Sequence, residues 1–445
     1  MHSNSRSKIL NIVIILFLFS SLSYAESLGA KNKHVDSWAA NSKALIDKMI
    51  EENSAAKGAY AVFDWDNTSI FGDVEETLFL YQLDNLLFRM TPEEFKYSFT
   101  HYADDKTLGN LEIPNDSFAK LYNDAEGHTV NISLIAKDCC DDFEFLYANS
   151  NRMNPKKGKM SIDEIKQSEQ YLDFKAKMWF TYNAIYNSFN VNMAYSWILY
   201  VTAPGFTEKE YKKIIAKAID NGMKSESKKL FFESPFALKG KGIKISNTCS
   251  GNYYKNAIRT TSEISGLFDK LMKNKIQVYI CTASLQQVVE TFATEKKYGY
   301  NLPLGHVLGM RLKKDANGKY LSQYDFSGNY MVNGFKGKSF NINNILVPKY
   351  NSNPVMVGGD SDGDYYMMTE LSGLNAVKMI NNYSPVQLVL VINRNKKGMI
   401  GQICSIAEDQ MLSGKSSAPA KVVLQGRDET TGYWIPTEKT AAFQH

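Results

Sequence analysis

Two carboxylates two residues apart, in Phe63-Asp64-Trp65-Asp66-Asn67-Thr68, are the most chemically loaded stretch of the chain. They follow a short apolar run, Ala59-Tyr60-Ala61-Val62-Phe63. One carboxylate there could be a turn former or a cap. Two, followed by Thr68, suit phosphoryl transfer. Asp64 can attack phosphorus and become an acyl phosphate, as carboxylate nucleophiles do. Asp66 can protonate the leaving oxygen and later take a proton from water. Close carboxylates repel, so a divalent cation is needed to hold both near an anionic substrate. Magnesium favours oxygen ligands and phosphate partners.

Three later segments complete the constellation. Cys281-Thr282-Ala283-Ser284 ends a second apolar run and offers a hydroxyl and backbone N–H groups ahead of a helix, a natural phosphate cradle. Gly337-Lys338-Ser339 offers a cation to neutralise the nucleophile and hold phosphate. Gly358-Gly359-Asp360-Ser361-Asp362-Gly363-Asp364 offers acidic ligands on a glycine-shaped loop. A nucleotide P-loop reading of Gly337-Lys338-Ser339 fails, because the glycine it needs falls at Val332.

The elements that must position these residues are those of an α/β core. The runs ending at Phe63, at Cys281 (from Ile276) and at Val357 (from Pro354) have the continuous apolar character of strands buried on both faces of a parallel sheet. Ligands of such sheets bind outside the carboxyl ends of the strands. Ile264, Leu267, Phe268, Leu271 and Met272 share one helical stripe, as do Leu285, Val288, Val289 and Phe292. The alternation argues for a doubly wound core. Residues 75–255 differ: helical signals dominate, with capping-box starts at Thr91-Pro92-Glu93-Glu94 and Thr207-Glu208-Lys209-Glu210. This reads as a helical domain inserted after the first strand. The expected plan is a leader over 1–25, a lead-in helix and first strand over 26–74, a helical cap over 75–255, and the rest of the core over 256–445.

Four pieces in this order resemble the haloacid dehalogenase superfamily. Its first motif, Asp-x-Asp-x-Thr, is matched by Asp64, Asp66 and Thr68. Thr282 matches the second, Lys338 (with Lys336 as a rival) the third, and Asp360 with Asp364 the fourth. The resemblance implies a Rossmann-like core with an inserted helical cap and Mg2+ held by Asp64, the main-chain carbonyl of Asp66, and Asp360, with Asp364 as a further ligand or outer partner. It implies phosphate contacts from Thr68, Thr282, Ala283 and Lys338. Asp362 departs from the pattern and reads as an ordinary loop acid. Asp66 favours phosphatase or phosphotransferase chemistry, because dehalogenases of the superfamily lack that residue. The cap position resembles the phosphoserine phosphatase branch. Asp73, Glu75-Glu76, the Trp197–Glu210 stretch, Tyr298-Gly299-Tyr300 and Gln425-Gly426-Arg427-Asp428 resemble phosphorylcholine phosphatases more loosely. The expectation is a Mg-dependent phosphomonoesterase for a small metabolite, with phosphorylcholine one candidate. A phosphoserine-like or broad acid phosphatase, a phosphotransferase and a non-catalytic phospho-ligand binder are the rivals. A quaternary ammonium favours aromatic faces and carboxylates, which nominates Trp65, Glu75 and Glu76 for the substrate side.

Composition bounds the rest. The 445 residues suit a core with a sizeable insertion. Apolar residues at 44% and charged residues at 22% mark a globular chain. A net charge of +4 without a concentrated Lys/Arg tract argues against a nucleic-acid partner. Lys396-Lys397 and Lys209–Lys213 read as solvated faces. Arg6 and Lys8, the apolar run from Ile9, and Ser23-Tyr24-Ala25 form a secretory leader cut after Ala25. An exported protein follows, periplasmic or secreted, touching the membrane only through that leader. Export permits disulfides, yet the five cysteines leave at least one thiol over. The scattered histidines and cysteines lack zinc spacing.

Overall fold

The computed structural model describes residues 37–101, 121–123, 129–188, 191–227, 232–235, 257–413 and 420–441. The leader over 1–25, Cys249 and nearly all of the Ser413–Ala420 loop lie outside the described residues. Six strands form the central sheet: β1 (Tyr60–Phe63), β2 (Gln277–Leu285), β3 (Val307–Met310), β4 (Met356–Gly359), β5 (Leu388–Asn393) and β6 (Lys421–Gly426). Their order is β6-β5-β4-β1-β2-β3 and every pair is parallel. All four residues of β1 and all six of β5 are buried, as continuous apolar runs require in a sheet covered on both faces.

The helical stripes seen in the sequence face this sheet. Ile264, Leu267, Phe268 and Leu271 are buried on helix Ser262–Lys273, with Met272 partly buried beside them. Val288, Val289 and Phe292 are buried on helix Gln286–Thr294. The second apolar run extends further than its sequence suggested. β2 continues through Thr282-Ala283-Ser284 to Leu285, with an irregularity in its pairing to β3 between Cys281 and Leu285. The four described cysteines outside the leader and linker, Cys139, Cys140, Cys281 and Cys404, are all free thiols.

After β1 the chain turns at 64–69 and leaves the core through Ile70–Phe71. It returns through Arg259–Thr260, and these two segments pair antiparallel. Between them lie helices Val74–Asn85, Pro92–His101, Ile132–Asn149, Glu169–Ser188, Val191–Thr202 and Glu208–Gly222. Both capping boxes form. Thr91 and Glu94 exchange bonds at 2.8 and 3.3 Å, and Thr207 does the same with Glu210. The helices close on an aromatic centre in which Phe95 stacks on Phe143 at 3.9 Å and Phe88 meets Phe174 edge-on. Among the described residues no helix is long and apolar enough to cross a membrane.

Two central strands approach closely enough to demand glycine. A Cβ on Gly358 would lie 2.6 Å from the Phe63 ring, which itself packs on Phe268. Gly358→Ala therefore overpacks the sheet next to the first motif. The expected cost is about 1–3 kcal/mol, read as a lower thermal midpoint in calorimetry; an unchanged midpoint would contradict this packing.

Candidate active site

Strand register gathers the chemistry. Phe63 pairs with Ile280 on one side and Gly358 on the other. Gly359 pairs with Val391, and Asn393 with Gly426. One or two residues past these pairs stand Asp64, Thr282, Asp360, Arg394 and Arg427, so all five reach the same carboxyl edge of the sheet. The main chain is locked there, since Asp64 donates its N–H to the Gly358 carbonyl at 2.9 Å.

At that edge the carboxylate oxygens of Asp64, Asp360 and Asp364 lie within 4.8 Å of one another, and all three residues are buried. The Lys338 ammonium donates to Asp64 Oδ1 at 2.6 Å and to Asp364 Oδ1 at 2.7 Å. The other Asp364 oxygen accepts from the N–H groups of Asp360 and Ser361 at 3.0 and 3.1 Å. Gly359 makes this possible: a Cβ there would sit 2.5 Å from Asp364 Cγ. Lys338 rides on the short helix Lys336–Asn341, whose leading residue Phe335 adopts φ +49° and donates its N–H to Gly363 O at 3.0 Å. A bulky residue at positive φ is strained and is retained only where its surroundings fix it. Here it ties the lysine's helix to the acidic loop.

The core carries the four motifs by which the sequence resembles the haloacid dehalogenase superfamily. The first, second and fourth motifs stand at the ends of the adjacent strands β1, β2 and β4, and Lys338 of the third reaches them from helix Lys336–Asn341. No family model matches the chain. It is similar to the phosphorylcholine phosphatase of Pseudomonas aeruginosa, with 23% identity over 303 residues, 66% of this chain and 60% of that protein. The match thus spans less than two thirds of that relative's length. Among solved structures it is similar to a functionally unknown protein from Anaerococcus prevotii, with 28% identity and a TM-score of 0.73 over 92% of this chain and 98% of that one.

Burial and charge set the ionisation of this site. Burial, then the neighbouring Asp364 and Asp360 charges, push the Asp64 carboxyl up to about 7 against the pull of Lys338. Burial and the Asp73 charge raise Asp66 well above the usual carboxylate range, against hydrogen bonds from Ser284 and Val74. A protonated Asp66 is what a general acid needs. Burial would raise Asp360 too, but the Lys396 and Arg394 charges outweigh it and hold that carboxyl well below its usual value. Three hard oxygen donors so close form a fitting set for Mg2+. Asp64, Asp360 and Asp364 would hold the ion. The Asp66 side chain lies outside this trio.

Several residues singled out in the sequence sit elsewhere than expected. The Thr68 hydroxyl is directed at carboxylates, 3.1 Å from Asp360 Oδ1 and 3.4 Å from Asp64 Oδ2. Trp65 is turned away from the site. Its ring is fully buried against Tyr300 and Phe292, because alternation after β1 sends it to the opposite face, so it has no route to a substrate. Lys336 is exposed and lies over the Tyr366 ring, which leaves Lys338 as the site lysine. Asp362 accepts the Ile400 N–H at 2.8 Å in the first turn of helix Met399–Ser413, an ordinary helix-end role. Thr282 is buried and accepts the Ser284 N–H at 3.1 Å, and Ala283 is half-buried between them. Glu75 is fully buried. One of its oxygens accepts the Leu285 N–H at 3.0 Å, and the other has no hydrogen-bond partner. Glu76 accepts the Tyr182 hydroxyl at 2.6 Å.

Other site residues escaped the sequence reading. Lys396 is not a solvated face: it donates to Asp360 Oδ2 at 3.0 Å, alongside Arg394 Nη1 at 2.7 Å. The signal was available, since Leu388–Asn393 is another apolar run with charges at its end. Ser284 donates to Asp66 Oδ2 at 2.7 Å, and Val74 N–H donates to Asp66 Oδ1 at 2.8 Å. Asp73 caps helix Val74–Asn85 by accepting from Glu76 N–H and also accepts the Tyr195 hydroxyl.

Glu75 yields a test of this burial. Burial lifts its carboxyl to about 8, against the Leu285 hydrogen bond. A carboxyl raised on folding stabilises fully below its unfolded value, and that stability is lost as pH rises through the folded value. The thermal stability of the wild type should therefore fall between about pH 5 and about pH 9 by more than that of Glu75→Gln. Parallel curves for the two proteins would contradict it.

Proposed function

We propose that the chain is a Mg-dependent phosphomonoesterase that passes a phosphoryl group through Asp64. The observation that carries this reading is the buried Asp64–Lys338–Asp364 bridge beside Asp360, with a separately held Asp66 two residues from Asp64. The proton donor and the attacker thus occupy different environments. Resemblance to a phosphorylcholine phosphatase supports the same class.

In the forward step an Asp64 oxygen bonds to phosphorus as the bond to the leaving oxygen breaks, and Asp66 gives that oxygen its proton. In the second step water attacks the phosphorus of the acyl phosphate. Asp66 takes the proton from water, Asp64 leaves as carboxylate, and inorganic phosphate departs. Lys338 keeps the Asp64 carboxylate from being repelled by Asp364 and balances charge on the transferred group. Ser284 and Val74 aim the Asp66 carboxyl from two sides. When bound, Mg2+ would neutralise the phosphate and the acidic trio together.

The inserted helices supply the side that meets the leaving group. The Arg394 charge acts on both Glu76 and Tyr186, Tyr182 donates to Glu76, and Tyr195 donates to Asp73. Tyr186 is exposed at 37% and is the ring available to a substrate. An acidic, tyrosine-lined wall suits a small cationic alcohol such as choline. The leader read in the sequence supports an exported enzyme.

With Mg2+ and a panel of phosphorylcholine, phosphoserine and an aryl phosphate, phosphorylcholine should give the highest kcat/KM. Chelation should abolish turnover. Asp64→Asn should abolish it too, and Asp66→Asn should lower it about 100- to 10,000-fold. Full activity of Asp64→Asn would remove the mechanism. Equal rates on all three esters would remove the choline preference alone. Tight phosphate-ester binding without turnover would leave a binding protein.

A further inference from the structure

The last strand of the sheet delivers a guanidinium to the first motif. Arg427 stands just past β6 and is 1% exposed. Its Nη1 donates to the Asn67 main-chain carbonyl at 2.9 Å and its Nη2 to Asn67 Oδ1 at 3.3 Å. Its Nε donates to Glu429 Oε1 at 2.7 Å. Its charged end lies 5.0 Å from the centre of the Phe71 ring. One side chain therefore holds the segment that follows Asp66 at both Asn67 and Phe71.

That segment needs a grip. Asn67 adopts φ +61°, a left-handed conformation that asparagine tolerates and that local sequence does not enforce. Its N–H reaches the Gly72 carbonyl at 3.0 Å and holds the Asp66–Asn67 peptide, while the carbonyl of the next peptide, Asn67–Thr68, is the one that Arg427 takes. A second contact points the same way. The 428–432 turn presses on Phe71 so tightly that a Cβ on Gly432 would come 2.4 Å from the ring. The C-terminal segment thus bears on the loop at both Asn67 and Phe71.

The grip also reaches the acidic trio. Glu429, 7% exposed, accepts from Arg427 and, at 3.4 Å, from Arg394 Nε, whose Nη1 holds Asp360. Asn67, Arg427, Glu429, Arg394 and Asp360 form one continuous polar chain across three strand ends. Burying such ion pairs is seldom the most stable choice, since apolar residues of equal volume often do as well. Such a pair is explained better by what it orients.

We propose that Arg427, braced by Glu429, is a positioning residue that sets the Asp66 carboxyl for proton transfer to the leaving oxygen. The assignment rests on the phosphomonoesterase reading. It predicts a loss that depends on the leaving group. An alkyl alkoxide needs the proton from Asp66, whereas dinitrophenolate leaves without it.

The test measures kcat/KM of the full chain with Mg2+ on an alkyl phosphomonoester and on 2,4-dinitrophenyl phosphate. Arg427→Met should lose about 10- to 100-fold on the alkyl ester and no more than about 3-fold on the dinitrophenyl ester. Arg427→Lys, which cannot span both Asn67 oxygens in one plane, should fall between. Lys421→Ala, exposed on the same strand, should match the wild type on both. Equal losses on the two esters, or no loss on either, would overturn the assignment, because a general loosening of the fold spares no substrate. Should Arg427→Met not fold, Glu429→Gln is read by the same ratio. A wild type inactive on both esters would instead overturn the phosphomonoesterase reading, and the assignment with it.

Discussion

Three buried carboxylates cannot share a sheet edge unless cations hold them there. That constraint organises the molecule. Lys338 comes from the helix after residue 335 and bridges Asp64 to Asp364. Arg394 and Lys396 come from the end of β5 and hold Asp360 from the far side. Removing one partner of a buried pair leaves an uncompensated charge and is costly. The glycines at 358 and 359, the strained Phe335 and the parallel register all serve to bring these charges within reach.

The same constraint separates the two carboxylates of the first motif. Asp64 faces the cations and the trio, while Asp66 faces a serine hydroxyl and a backbone N–H. Burial raises both, but only Asp64 has an opposite charge in direct contact to favour its ionised form. Two residues of one type, two positions apart, thereby stand in unlike environments. The chemistry of an attacker and a proton carrier requires that difference.

Much of this was legible in the sequence because the signals were local. The runs before Asp64, Thr282 and Asp360 are short and largely apolar, so strand ends could be located and their polar residues grouped. Lys338 was legible by its order after Thr282, although only packing separates it from Lys336. Trp65 was misjudged because adjacency in sequence says nothing of which face a residue takes after a strand. Arg394 and Lys396 were missed, and Arg427 was noted only within a looser resemblance and given no role, for another reason. Their roles depend on β5 and β6 pairing with strands far away in the chain, and a charge at a strand end looks like any solvated lysine or arginine until that pairing is known. The antiparallel crossing at Ile70–Phe71 and Arg259–Thr260 was likewise invisible, being too short to leave a periodic trace.

The covalent step is the claim on which the rest turns. Rapid acid quenching of the enzyme with Mg2+ and excess phosphomonoester, followed by mass spectrometry of its peptides, addresses it directly. The account predicts one acid-stable, base-labile phosphoryl group on the peptide containing Asp64, absent from Asp64→Asn. Steady turnover with no phosphorylated peptide, or with the label on another residue, would contradict it.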